Sequence, residues 1–431
     1  MSSNISAPSA TIENVRETRL ANGMRVVTDA MAGVETAAVG VWVGVGGRNE
    51  TPTLNGVSHM LEHMAFKGTA RRSARAIAEE IEAVGGHVNA YTSREQTAYY
   101  ARVLKEDVPL AVDILADILQ HSAFDESELK RERDVIVQEI GQTEDTPDDL
   151  VFDKFQETAY PAQALGRSIL GSVERVQSLG RADLIGYMNA QYAAPAMVLA
   201  GAGRVDHDAL VELAAARFKE LPGHDAADVE GGHYQAGDCR DARDLEQVHV
   251  VLGFDGVAHE DPDFYTANVL STLLGGGMSS RLFQEVREKR GLCYSVYSFT
   301  ASYLDGGLFG VYAGTGADQV EDLVAVTADE VMKSTVAIGA DELDRARAQI
   351  KAGLLMALES SSSRCERLAR HLLIFGRPIP TAEVVAAIEA IDVATVVRVA
   401  ERLFKGARPV VTALGPIGQL EHYDRIAARF G

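Results

Sequence analysis

Cysteine is scarce. The 431-residue chain holds three, Cys239, Cys293 and Cys365. They are too few and too scattered for a disulfide framework, and none forms the Cys-x-x-Cys pair of a thiolate zinc site. Positive charge is also short: 41 Lys and Arg stand against 62 Asp and Glu, a formal net charge of −21. Phosphate binding needs a basic face, so no nucleic-acid partner is expected. Long apolar runs are missing as well. No stretch reaches the roughly 18 residues needed to cross a bilayer, so no membrane partner is expected. The opening segment has no apolar core of signal-peptide type, and its Glu13 and Glu17 are out of place in a mitochondrial transit peptide. A reducing, cytoplasmic setting is the expectation.

What is present is ordinary globular material. Hydrophobic residues make up 46% and charged residues 24% of the chain, which excludes disordered, collagenous and coiled-coil classes. The length favours two or more domains. Glu35 to Val45 is a Val-rich, mostly apolar run that predicts a strand buried on both faces. A helix is expected from about Gly56 to Phe66. A second spans Arg75 to Val84, stopped by Gly85 and Gly86. The segment from His87 to Leu104 predicts two strands around a polar turn. Val108 to Leu119 has helical spacing, and Asp125 with Glu128 reads as a capping box opening a long helix through Ile140. Residues 221–244 are rich in Gly, Asp and Ala without apolar periodicity, the signature of a linker between domains 1–220 and 245–431.

The two halves share a pattern. The stretch from Glu35 matches that from Glu246, and the stretch from Ala76 matches that from Arg281, with Gly86 opposite Gly291. This points to an internal duplication. His59, Glu62 and His63 then fall opposite Ser271, Leu274 and Gly275, so the second half can share the fold without the chemistry.

That chemistry resides in Ser58 to Thr69, SHMLEHMAFKGT. His59 and His63 are four residues apart, so on a helix both imidazoles leave one face a turn apart. Two neutral imidazoles so placed can hold Zn²⁺. Glu62 beside them can take a proton from a water that the metal acidifies. A catalytic zinc needs a third protein ligand. The long helix offers Glu126, Glu128, Glu132 and Glu139. The first two read as solvated. Glu132 and Glu139 are two turns apart on nearly one face, next to Val135 and Ile136, and helix geometry does not choose between them.

H-x-x-E-H reverses the order of the common zinc-peptidase helix and marks the inverzincins. Together with NAYTSREQTAYY and ERDVIVQEI, the run resembles the pitrilysin-type metallopeptidases. It most resembles the branch that holds the β subunit of the mitochondrial processing peptidase and its bacterial relatives. The likeness spans nearly the whole chain. It implies a third zinc ligand 76 residues beyond the second histidine, which is Glu139 here, with Glu132 supporting the site. It implies an α+β architecture of two similar domains, each a mixed sheet with helices packed on it, closing like a clam around a peptide. It implies that the second half supplies an Arg and a Tyr seven apart, Arg287 and Tyr294, to hold a peptide carbonyl and stabilise an oxyanion. Finally, it implies that Asn89 and Ala90 lie on the edge strand along which substrate is laid.

The expectation is therefore a zinc-dependent endopeptidase with one Zn²⁺ per chain, acting on peptides or unfolded segments. The sequence departs from the family in one place. Gly275 to Gly277 stands where the non-catalytic subunit of the processing peptidase has a long glycine-rich loop, which argues against that mode of selecting substrates. Both the zinc motif and the Arg/Tyr pair are present, which favours a homodimer, with a heterodimer as the other assembly. The competing reading is a non-catalytic or partner subunit of such a heterodimer. Relatives of that kind typically lose zinc-site residues.

Overall fold

The computed structural model describes residues 14–224 and 229–431. Strands β1 (Val15–Arg19), β2 (Arg25–Ala30), β3 (Thr36–Val43), β4 (His87–Thr92), β5 (Thr97–Leu104) and β6 (Met197–Gly203) form one sheet in the order β1-β2-β6-β3-β5-β4. Strands β7 (Gly237–Ala242), β8 (Val248–Asp255), β9 (Cys293–Ser302), β10 (Gly307–Thr315) and β11 (Val410–Gly415) form a second, ordered β7-β11-β8-β10-β9. β2 runs parallel to β6, and β7 to β11; all other pairs are antiparallel. Without β1 the two orders are the same. Both are mixed sheets, so the duplication expected from the sequence is present as topology.

The first half carries helices α1 (Val57–Ala65), α2 (Ala74–Ala83), α3 (Val108–His121), α4 (Glu126–Glu144), α5 (Pro147–Ala159), α6 (Val173–Ser178), α7 (Arg181–Gln191) and α8 (His207–Arg217). The second carries α9 (Phe264–Gly275), α10 (Val320–Lys333), α11 (Ala340–Ala357), α12 (Ser361–Phe375), α13 (Thr381–Glu389), α14 (Val393–Phe404) and α15 (Tyr423–Ala427). A π-helical turn, Phe283–Glu288, stands where the first half has α2.

Three details correct the sequence reading. The segment read as a linker through residue 244 already contains β7, which pairs with β11. That pairing is parallel and links distant parts of the chain, so local composition does not reveal it. Asp125 caps α4 by accepting from the N–H groups of Ser127 and Glu128, but the reciprocal half of a capping box is replaced by a pairing of Glu128 with Arg131. The repeat alignment is one residue out. Gly85 and Gly291 both have positive φ, +68° and +62°. Each sits two residues before its strand, β4 or β9, so Gly85, not Gly86, is the partner of Gly291.

The two cores explain why β3 reads as a continuous apolar run. Ala37, Val39, Val41 and Val43 enter one core with α1 and α3, while Ala38 and Trp42 enter another with Cys365, Leu368, Ala369 and Leu372 of α12. α12 belongs to the second half. In return, Val151, Phe155 and Ala159 of α5, from the first half, pack with Leu308, Tyr312 and Leu414 of the second sheet. Gly253 on β8 permits this contact, because a Cβ there would lie 2.1 Å from the Phe155 ring. Each half therefore lends a helix to the other's sheet. Burial of side chains such as Leu368 and Leu372 contributes about 1.5–3 kcal/mol each.

A buried arginine locks the junction. Arg48 is 4% exposed and binds Glu95 at 2.6 Å, Asp305 of the second half, and the carbonyl of Glu230 at 2.8 Å. Leu304 N–H donates to Glu95 and Gly232 N–H to Asp305. Burial pushes Glu95 up. Burial acts the same way on Asp305, but the Arg48 hydrogen bond and charge, together with the Gly232 N–H, outweigh it and hold that carboxyl low. Removing one partner of a buried pair leaves uncompensated charge. Arg48→Met should lower unfolding free energy by about 3–5 kcal/mol, read as a drop in the denaturant midpoint.

Candidate metal centre

Helix α1 starts at Gly56, whose φ of +94° and lack of a side chain leave the first amides uncapped locally. Glu50, buried in the preceding loop, serves instead. Its carboxylate accepts from Gly56 N–H and Ser58 N–H, both at 2.8 Å, and from the Asn55 amide at 3.0 Å. A negative group there also suits the helix dipole. Burial raises the Glu50 pKa, and these donors work against that rise. One face of α1 buries Met60, Leu61 and Met64. His59 and His63 stand half-buried beside α4, their rings 4.6 Å apart at 70°.

The structure separates the two candidate glutamates. Glu139 Oε2 lies 3.7 Å from His59 Nε2 and 3.5 Å from His63 Nε2, and the three atoms are within 4.8 Å of one another. Glu132 stands behind His63. Its Oε2 accepts from His63 Nδ1–H at 2.9 Å, and its Oε1 accepts from Lys67 Nζ at 2.7 Å. A carboxylate acceptor on Nδ1 fixes the tautomer that leaves Nε2 bare.

The trio fits a metal on its own chemistry. Glu139 Oε2 and His59 Nδ1 are buried and lack a hydrogen-bond partner. Burial, helped by the neighbouring His63, holds His59 down to about 4, so its imidazole is neutral near pH 7. A neutral His59 can offer its Nε2 lone pair, so three donor atoms can converge on one point. Tetrahedral zinc at about 2.0–2.1 Å from each donor would set them roughly 3.3 Å apart, close to the distances found. Among the described residues this is the one group of three or more His, Cys, Asp or Glu side chains so arranged.

Glu62 leaves α1 towards β4, where Thr92 Oγ1 donates to its Oε2 at 2.6 Å. Burial raises the Glu62 pKa; the Thr92 hydrogen bond and His63 act against it. Asn89 and Ala90 lie on β4, the free edge of the first sheet. Asn89 Oδ1 accepts from Ala90 N–H at 2.8 Å, so that donor is engaged by its own neighbour. A self-satisfied edge is also a guarded edge.

Arg287 and Tyr294 come together, but in the second half. The Arg287 guanidinium lies 4.5 Å from the Phe283 ring centre and 5.0 Å from that of Tyr294. Tyr294 is 79% exposed on β9. Among the described residues no hydrogen bond or ion pair joins either to the His–His–Glu trio. Sequence reasoning missed Glu50, Thr92 and Lys67 as supports. Lys67 had a signal, since it follows His63 by four residues. Glu50 and Thr92 had none, because a loop cap and a strand neighbour are set by tertiary packing.

Comparisons with known proteins agree with this architecture. The family described as "Insulinase (Peptidase family M16)" matches residues 25–173, and "Peptidase M16 inactive domain" matches residues 178–350. A protease from Helicobacter pylori shares the fold with a TM-score of 0.86 at 24% identity, over 93% of this chain and 99% of that one. The human mitochondrial-processing peptidase subunit beta is 38% identical over 97% of this chain and 89% of its own length. An uncharacterized zinc protease of Streptomyces coelicolor is 41% identical over 94% and 90%. The fold and these relatives define a metallopeptidase class. The chain belongs to peptidase family M16.

His63→Ala should abolish stoichiometric zinc binding, measured by elemental analysis after dialysis. Glu132→Gln should keep the metal but weaken it about 10–100-fold, read by competition with a chromophoric chelator.

Proposed function

We propose that this chain is a zinc-dependent endopeptidase that hydrolyses peptides or unfolded segments, with His59, His63 and Glu139 as metal ligands and Glu62 as the base. The observation that carries this reading is the convergence of His59, His63 and the unpartnered Glu139 carboxylate oxygen, with the Glu62 carboxylate beside them. When bound, zinc supplies a Lewis acid that polarises a peptide carbonyl and makes a water acidic near neutral pH.

The chain's own residues do the rest. Glu132 holds His63 in the ligating tautomer, and Lys67 donates to the other Glu132 oxygen. Glu62 takes the proton of the attacking water and delivers it to the leaving amine. Thr92 orients the Glu62 carboxylate towards that task. Substrate adds to the free edge of β4 by main-chain hydrogen bonds, displacing Asn89 from the Ala90 N–H; such pairing accepts many sequences. Arg287 holds a substrate carbonyl, and the Tyr294 hydroxyl donates to the oxyanion that develops on the scissile carbonyl. Their contacts lie within the second half, and Tyr294 is exposed. They therefore serve once peptide and protein surfaces close around the site, in a chamber that a homodimer completes. The three cysteines are free, which supports a reducing compartment such as the cytoplasm. No helix of the described residues is long and apolar enough to cross a membrane.

Glu62→Gln should retain zinc and fold while losing about 10²–10⁴ in turnover of a quenched fluorescent peptide. Near-normal turnover would remove Glu62 from the role of base. Thr92→Val tests its tuning. The lost donor favoured the ionised carboxylate, so the Glu62 pKa rises further. Because the base must be ionised, the acid limb of kcat/KM should move to higher pH. Tyr294→Phe should leave zinc content unchanged and lower kcat by about 10²–10³, as for loss of one oxyanion donor.

A further inference from the structure

The end of β4 opens onto a cavity of about 420 Å³ between the first sheet, the β9–β10 turn and α12. Tyr91, Thr92, Leu304, Glu366, Arg370 and Leu373 are among the residues that line it. The cavity is one side chain from the proposed base, since the Thr92 hydroxyl binds Glu62. Its charges are uneven in their engagement. Glu366 accepts from the Tyr91 hydroxyl at 3.1 Å. Glu95 is held by Arg48 and Leu304 N–H. Arg94 donates to the Leu165 carbonyl at 3.2 Å and lies 3.7 Å from Asp153. Arg370 is exposed, and among the described residues it has no hydrogen bond or ion pair. It also lines an adjoining cavity of about 330 Å³.

Strand geometry says what would meet it. Along β4 the side chains alternate: Ala90 enters the core shared with α1 and α3, while Tyr91 packs with Trp42 against α12. A peptide added to the free edge continues the pleat, so its residues alternate in the same way. Those level with Ala90 face the metal side. The one level with Tyr91 faces α12, where it meets the Tyr91 ring, Leu373 and the unpaired guanidinium. In strand addition the main chain supplies affinity, and pockets for alternate side chains supply specificity.

We infer that Arg370 is a specificity-determining residue that selects substrates with a carboxylate at the position facing α12. This rests on the peptidase reading and on substrate lying along β4. The overall charge of −21 favours cationic peptides by long-range steering; Arg370 sets one position apart from that trend. The carboxylate can come from an internal Glu or Asp, or from a peptide's C-terminus. A guanidinium matches either in a bidentate fork.

The test separates binding from chemistry. In the inert Glu62→Gln background, fluorescent peptides that differ as Glu or Gln at single positions are titrated by anisotropy, each made with a free or an amidated C-terminus. One position should show Glu bound about three- to tenfold tighter than Gln, with a ratio that shrinks in salt. If the preference follows the free terminus instead, the carboxylate is the terminal one and the assignment to Arg370 stands. The added substitution Arg370→Met should bring the ratio to about one, Arg370→Lys should keep part of it, and Arg370→Glu should favour Lys at that position. An unchanged ratio in Arg370→Met, or no carboxylate preference at any position or terminus, overturns the inference. Hydrolysis of the Gln peptide by the unmutated protein reports separately on the peptidase reading.

Discussion

The Glu139 carboxylate oxygen lies 3.5–3.7 Å from two imidazole nitrogens, buried and without a hydrogen bond. Burial of a polar atom without a partner carries a desolvation cost. Such an arrangement is sustained by the surrounding fold and is relieved by a cation. Much of the first half can be read as the means of holding it. α1 presents the histidines because Glu50 caps a helix start that has no cap of its own. α4 crosses α1 so that Glu139 reaches both imidazoles while Glu132, with Lys67, secures the back of His63.

The fold also explains why a single half is not a self-contained unit. α12 seals the reverse face of the first sheet, α5 seals the second, and Arg48 ties the turns of both. An isolated first half would expose Trp42, Val198 and Ala200 to water. This reciprocity makes the second half necessary even though it holds none of the proposed metal ligands. It also places the α12 side chains beside the end of β4, next to the edge on which a peptide would lie.

How far these features are legible in sequence depends on their range. The His59–His63 pair depends only on helix geometry, and it is visible as spacing. The apolar runs of β3 announce burial on both faces, but not that α12, more than 300 residues away, covers one of them. Glu132 and Glu139 lie seven residues apart, so helix geometry gives them almost the same azimuth. They differ by about 10 Å along the axis, and only the crossing of α4 over α1 turns that height into two different roles. Family likeness supplied the choice that periodicity could not. Arg48, Thr92 and Glu50 were silent because each acts through partners that tertiary structure alone brings near.

X-ray absorption at the zinc edge of the stoichiometrically loaded protein tests the central claim most directly. The ligand set assigned here predicts two imidazoles, with multiple-scattering features of the rings, and oxygen donors at about 2.0–2.2 Å. A sulfur shell near 2.3 Å, a spectrum without imidazole scattering, or failure to bind zinc at all would contradict it.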